Sequence, residues 1–239
     1  MKKTTLKLSL LAFAMALITG FAITPAQACK KCAKHNTSTE KKDDHGHEHL
    51  DEAEGFTTIL GKGHTDGWTL GKHMKFEDGM IVAGTMDEKI PGTLYAYHDK
   101  TYYNFELRAQ AKAVGPEKTN GGFQIRSAVN DKGIMSGYQA DMGFKYWGLV
   151  YDQGRRNSLL TKHEAGIDLK KDINWGEWND YRVVCKDNVI EVYINGKLFS
   201  KHVEKDAEIA KVKGQIGLQM HAGPPSVRYY KNIRIKELD

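Results

Sequence analysis

The segment YRVVCKDNVIEVYINGKLF, residues 181–199, reads as two strands and the start of a third. Tyr181, Val183 and Cys185 alternate with Arg182, Val184 and Lys186. After Asp187-Asn188 the same period resumes at Ile190, Val192 and Ile194. Side chains two apart lie on one face of a strand, so each run has one buried and one outward side. Asn195-Gly196 supplies the pair that a tight hairpin turn requires, because both turn residues need positive φ. Lys197-Leu198-Phe199 then runs back.

The pattern extends in both directions. Lys75-Phe76-Glu77 and Met80-Ile81-Val82 flank Asp78-Gly79, a second hairpin. Tyr103, Phe105, Leu107, Ala109, Ala111 and Ala113 alternate with polar residues and read as one long strand. Ile216, Leu218 and Met220 alternate with Gly217, Gln219 and His221, and residues 227–238 form a last strand. Helical periodicity is confined to residues 206–212, a turn or short helix. About a dozen strands in ~185 residues, punctuated by Gly, Asn and Asp, predict a single all-β domain, a two-sheet sandwich. The closing strand at 233–238 is expected to pair with the first strand at 57–60.

Residues 1–54 read differently. Lys2, Lys3 and Lys7 precede an apolar run from Leu8 to Ile23, and Ala26-Gln27-Ala28 gives the small–x–small cleavage pattern. Residues 1–28 are therefore expected to be a signal peptide, with export to the periplasm or medium. Cys29 follows the cut and is a candidate lipid-anchor site. Residues 29–54 are nearly all polar and predict a disordered linker. Within it Cys29 and Cys32 form a C-x-x-C pair. With His35, His45, His47 and His49 that pair is a candidate metal-ligand set, or else a local disulfide. Ala33 in place of His excludes the haem-attachment motif. Cys185 falls in an apolar strand pattern and reads as an inert core thiol.

The net charge is +5, and removing the three leader lysines leaves +2. So weak a balance gives no nucleic-acid or membrane-surface signal. No apolar run beyond the leader is long enough to cross a bilayer.

Alternation also sorts the polar residues. Gln124 and Arg126 oppose Phe123 and Ile125, Gln139 and Asp141 share a face, and so do Gln219 and His221. If these strands are neighbours, one sheet presents all six, with Trp147 and Tyr151 at the rim. Any exposed sheet face is polar, so the grouping alone is not a site. His221 precedes Ala-Gly-Pro-Pro, a loop opening that suits the mouth of a site. Residues 137–156, GYQADMGFKYWGLVYDQGRR, combine aromatic faces, amide and carboxylate acceptors and guanidinium donors, the groups a sugar-binding surface uses.

On these residues the chain resembles the 3-keto-disaccharide hydrolase domain family over residues 55–238. The resemblance rests on Gly55-Phe56-Thr57, Asp66-Gly67-Trp68, YNFELR at 103–108, GGFQIR at 121–126 and GYQADMG at 137–143. It also rests on YWGLVYDQGRR at 146–156, EWNDYR at 177–182, Ile194-Asn195-Gly196, GQIGLQMHAGPP at 214–225 and YKNIRIK at 230–236. It implies a concanavalin A-like jelly-roll β-sandwich and an oligosaccharide or glycoside substrate. The implied reaction is cleavage of glycosides oxidised to the 3-keto form.

A 3-ketone acidifies the C2 proton. Removal of that proton, expulsion of the glycosidic oxygen and addition of water amount to hydrolysis. This needs a base, an acid and an electrophile at the enediolate oxygen, for which a divalent metal ion is one candidate. Carried onto this sequence, the resemblance makes His221 or Asp141 the base and Arg126 the oxyanion or hydroxyl anchor. Tyr138 or Tyr151 becomes a sugar contact or acid. Gln124, Gln139, Trp147 and Gln219 join them as substrate contacts, and Arg155 and Arg156 as a clamp. Where many members of that family have Gly-Tyr-Glu, this chain has Gly137-Tyr138-Gln139, and Asp141 is the nearest carboxyl on the same face.

No Glu-x-Asp-x-x-Glu motif of an ordinary retaining glycosidase is present. The competing expectation is a non-catalytic, lectin-like binding domain on the same sandwich. A third is metal handling by the Cys/His-rich tail.

Overall fold

The computed structural model describes residues 54–239, and the leader and linker expectations fall on residues outside that range. Fifteen strands form two antiparallel sheets. The first sheet contains β1 (Thr57–Leu60), β3 (Met74–Glu77), β4 (Met80–Thr85), β6 (Phe105–Val114), β11 (Asn179–Lys186), β12 (Val189–Ile194), β13 (Lys197–Val203) and β15 (Ser226–Glu237). Its order is β13-β12-β11-β6-β15-β4-β3, with β1 also on β15. The second contains β2 (Trp68–Thr69), β5 (Leu94–Tyr102), β7 (Gly121–Val129), β8 (Met135–Met142), β9 (Val150–Gln153), β10 (Ser158–Leu159) and β14 (Gly214–Met220). Its order is β10-β9-β8-β7-β14-β5-β2. Two single-turn helices, α1 (Leu169–Asp172) and α2 (Ala207–Ala210), and a 3-10 turn at Phe144–Tyr146 complete the elements among the described residues. The Asp206 carboxylate caps α2 by accepting from the Glu208 and Ile209 N–H groups.

The hairpins fall where the turn chemistry places them. Asp78 and Gly79 have φ of 49° and 75°, Asn195 and Gly196 φ of 50° and 82°, as the two-residue turns require. The closing strand pairs with the first, Ile235 opposite Thr57. One boundary differs from the alternation reading. The strand expected from Tyr103 starts at Phe105, and Tyr103-Asn104 make the turn from β5 instead. The Asn104 side chain accepts from the Asp187 N–H at 2.8 Å, tying this turn to the one between β11 and β12.

One apolar core fills the space between the sheets. Phe105, Leu107, Tyr181, Val183, Val192 and Tyr230 meet Phe123, Ile125, Tyr138, Ile216, Leu218 and Met220. Phe123 sits between Tyr181 and Tyr230, with ring centroids 5.0 and 5.3 Å away. Its truncation to alanine would cost about 3–5 kcal/mol, the usual range for a buried aromatic. Cys185 is fully buried among these residues, and burial pushes its thiol up to about 12, out of reactive range.

Two tyrosines carry this core's order to the far side of the second sheet. The Tyr230 hydroxyl donates to the Gln219 carbonyl at 2.8 Å and accepts from the Gly122 N–H at 3.1 Å. The Tyr181 hydroxyl donates to the Asp141 carbonyl at 3.0 Å. The first sheet therefore fixes three backbone positions of β7, β8 and β14.

Candidate functional site

Those three strands are adjacent, and their core-averted face carries the polar residues. Gln124 on β7 stands opposite Gln139 on β8, Asp141 opposite Gly122, and Gln219 on β14 also opposite Gly122. Cross-strand partners share a face, so Gln124, Gln139, Asp141 and Gln219 converge there. Tyr151 on β9 lies opposite Gln139, and Tyr95 on β5 opposite Gln219. Gly122 and Gly217 leave no room for a Cβ, which lets side chains of neighbouring strands cross above the backbone.

The four side chains form one hydrogen-bonded network, each at most 3% exposed. Gln124 Nε2 donates to Gln139 Oε1, and Ser127 Oγ donates to Gln124 Oε1 at 2.9 Å. Gln139 Nε2 faces Asp141 Oδ1 at 2.6 Å, the Gly121 carbonyl at 3.1 Å and Gln219 Oε1 at 3.1 Å. An amide nitrogen has two hydrogens, so three acceptors share two donors. Gln219 Nε2 reaches the Tyr95 hydroxyl and Gln153 Oε1, each at the 3.5 Å limit. The face therefore has acceptors in excess, and a ligand bearing hydroxyl donors would satisfy it.

Asp141 is the one carboxyl in this network. Burial raises its pKa and the Gln139 hydrogen bond lowers it, with burial prevailing at about 8. A carboxyl poised there exchanges a proton near neutral pH.

His221 follows directly on β14, two residues past Gln219. Its backbone N–H bonds the Asn120 carbonyl at 3.2 Å, at the end of the sheet where Asp141 lies. Its ring is exposed, and Nδ1 lies 2.7 Å from the Ala222 carbonyl. A carbonyl only accepts, so Nδ1 carries the proton and the neutral ring keeps its lone pair on Nε2.

The other candidates sit elsewhere. Arg126 breaks the alternation, with φ of 46° at an irregularity between Ile125 and Ala128. Its guanidinium turns to the loops of the first sheet, donating to the Tyr103 carbonyl at 2.6 Å and the Asp187 carbonyl at 2.7 Å. It also stacks 4.5 Å above the Tyr103 ring. Alternation alone had put it with Gln124. Tyr138 and Trp147 belong to the core, while Tyr151 keeps its place beside Gln139 and is partly exposed.

Arg155 and Arg156 join a second cluster. Arg155 Nε donates to Asp152 Oδ1 at 2.7 Å, and Arg156 Nε to Asp152 Oδ2. Arg156 Nη2 donates to Glu204 Oε2 at 2.6 Å, where the Tyr138 hydroxyl also donates at 2.6 Å. Glu204 Oε1 accepts the backbone N–H groups of Lys205 and Asp206, each at 3.0 Å. Burial alone would raise the Glu204 pKa. The hydrogen bonds from Arg156, Tyr138 and the Asp206 backbone outweigh burial and hold it far below the carboxylate range. Asp152 and Glu204 were not legible as partners, because their spacing of fifty-two residues hides the meeting of β9 with the end of β13. Tyr95 and Gln153 were also missed. They do share the alternation of their strands, which is the signal that would have found them.

Among the described residues, no three His, Cys, Asp or Glu side chains gather as metal ligands. The amide network offers one carboxylate and neutral amides, a poor fit to a divalent ion's preference for several anionic oxygens. The tail residues Cys29, Cys32, His35, His45, His47 and His49 lie outside the described range. No helix among the described residues is long and apolar enough to cross a membrane.

Fold and face together define a β-sandwich domain with a site suited to polyhydroxylated ligands. The chain belongs to the 3-keto-alpha-glucoside-1,2-lyase-like domain family, whose profile matches residues 55–236. Its function is thus carbohydrate-related. No curated protein sequence matches it. Among solved structures, a "putative glycosyl hydrolase" from Parabacteroides distasonis is 23% identical with a TM-score of 0.58, covering 80% of this chain and 97% of that one. Carbohydrate-binding module CBM66 from Bacillus subtilis is 13% identical with a TM-score of 0.50, covering 77% and 96%. SCLam, a non-specific endo-beta-1,3(4)-glucanase from family GH16, is 10% identical with a TM-score of 0.51, covering 76% and 91%. Likenesses this distant establish the sandwich fold.

Proposed function

We propose that this domain cleaves 3-keto-glycosides by elimination and rehydration on the amide face of the second sheet. The observation that carries the reading is Asp141, a buried carboxyl tuned to about 8 inside an acceptor-rich network. Sugar hydroxyls donate to Gln139, Gln219 and Asp141 oxygens, and Tyr151 flanks the ring. His221 Nε2 takes the C2 proton, and the C–H electron pair moves toward the C3 ketone. The C1–oxygen bond then breaks, and the protonated Asp141 supplies the leaving oxygen with its proton. That collapse re-forms the C3 ketone and leaves a C1–C2 double bond. Water then adds across it, its hydroxyl going to C1 as Asp141 takes back a proton and the His221 proton returning to C2, which completes net hydrolysis. Arg126 takes no part, since its donors are committed to loop carbonyls.

The test is incubation of purified protein with a 3-keto-disaccharide and its non-oxidised counterpart. Release of monosaccharide from the keto form alone is expected. If neither is cleaved with divalent metals supplied, the non-catalytic binding reading takes over. One observation favours that reading: Gln139 stands where a carboxylate would give the face a second acid.

Export belongs to the same proposal, supported by the leader pattern at residues 1–28. Intact-mass analysis of the cell-envelope fraction should find a chain starting at Cys29, with or without an acyl group. An uncleaved chain in the cytoplasm would contradict export.

A further inference from the structure

We propose a second sugar subsite in the cleft at the end of the sandwich, where a pyranose ring stacks on Trp175. The cleft has a volume of about 410 Å³ and is lined by Val114, Pro116, Thr119, Phe144, Trp147 and Trp175. That volume falls within the roughly 300–1,000 Å³ of small-molecule sites.

Two observations point to a ligand. Trp175 is 43% exposed, yet it is held in place. Its indole N–H donates to the Leu169 carbonyl at 2.9 Å, and its ring meets Trp147 edge-on at 5.9 Å. A fixed, exposed indole presents a face to solvent at little entropic cost on binding. Next, the lining residue Trp147 has a buried indole N–H without an acceptor. The carbonyl of Val114, in the lining, accepts from Arg228 Nη1 at 3.4 Å. Glu117, also in the lining, supplies an acceptor and disfavours an anionic occupant.

The cleft also continues the candidate site. Thr119 lies two residues before Gly121, whose carbonyl faces Gln139. Gly143 lies two residues after Asp141, and the Gly148 N–H bonds the Asp141 carbonyl at 2.9 Å. A neutral oligosaccharide lying across the amide face would extend into it. The sugar identity of the occupant rests on the functional reading above.

The experiment follows the indole ¹H–¹⁵N signals of the full chain during titration with maltotetraose and with cellotetraose. The Trp175 signal, assigned with Trp175→Phe, is expected to move with at least one sugar. Trp175→Ala should weaken that binding by roughly tenfold, the loss of one good aromatic contact, and Trp175→Phe should retain most of it. A still Trp175 signal with both sugars, or wild-type affinity in Trp175→Ala, would overturn the subsite. Keto-sugar cleavage with a still Trp175 sinks the subsite alone. A moving Trp175 without any cleavage sinks the catalytic reading and leaves the subsite standing.

Discussion

Two buried polar clusters lie on opposite sides of β8, and they are built on opposite principles. Around Glu204 and Asp152, two carboxylates meet two arginines, a tyrosine hydroxyl and backbone N–H groups, so charge is matched. Around Asp141, a single carboxyl is buried among glutamines with one donor group for three acceptors. The first arrangement holds Glu204 ionised and locks β9 to the first sheet. The second raises Asp141 toward neutrality and leaves acceptors unfilled. Matched charge marks structure, and the uncompensated carboxyl is where the proposed function puts the ligand.

The comparison can be broken from either side. The largest effect on stability is expected at the matched cluster. Glu204→Gln removes the anion shared by Arg156 and Tyr138, leaving Arg156 with Asp152 alone. It should cost about 2–3 kcal/mol by urea denaturation, less than for a fully buried pair because Arg156 is 35% exposed. A loss below about 1 kcal/mol would mean that the cluster is a solvated surface pair.

The next effect is a pH dependence of opposite sign in the two clusters. Glu204 has a depressed folded constant, so its contribution is present above the unfolded value and lost as pH falls through the folded one. Asp141 has a raised folded constant, so its contribution is full below the unfolded value near 4 and declines as pH rises toward about 8. The stability of Asp141→Asn relative to wild type should therefore rise across pH 4–8. A constant difference would place the Asp141 carboxyl in an ordinary solvated environment.

A smaller effect tests how the core holds the face. Tyr230→Phe removes the hydroxyl shared by the Gly122 N–H and the Gln219 carbonyl and should cost about 1–3 kcal/mol. It should also raise the KM for a keto-sugar by loosening Gln219. An unchanged KM would show that the face keeps its geometry without this strut.

The sandwich was legible because turn chemistry and period-two alternation are local. Asp78-Gly79 and Asn195-Gly196 gave hairpins at the residues where φ turns positive. The Gln124, Gln139, Asp141 and Gln219 face followed from the same alternation once their strands proved to be neighbours. Arg126 was not legible, because one left-handed residue reverses the face of everything after it. Nor was the pairing of Arg156 with Glu204, a long-range contact that no local pattern encodes. Trp147 looked like a rim aromatic by composition, but the core took it, and the exposed indole is Trp175.

The central claim is that chemistry belongs to the uncompensated carboxyl. Its most direct test is kcat/KM on a 3-keto-disaccharide for wild type and Asp141→Asn, with folding of both checked by thermal melting. The account predicts cleavage by wild type and a loss of roughly 100-fold or more in the variant, as for removal of a general acid. A folded Asp141→Asn that turns over the keto-sugar at the wild-type rate would contradict it.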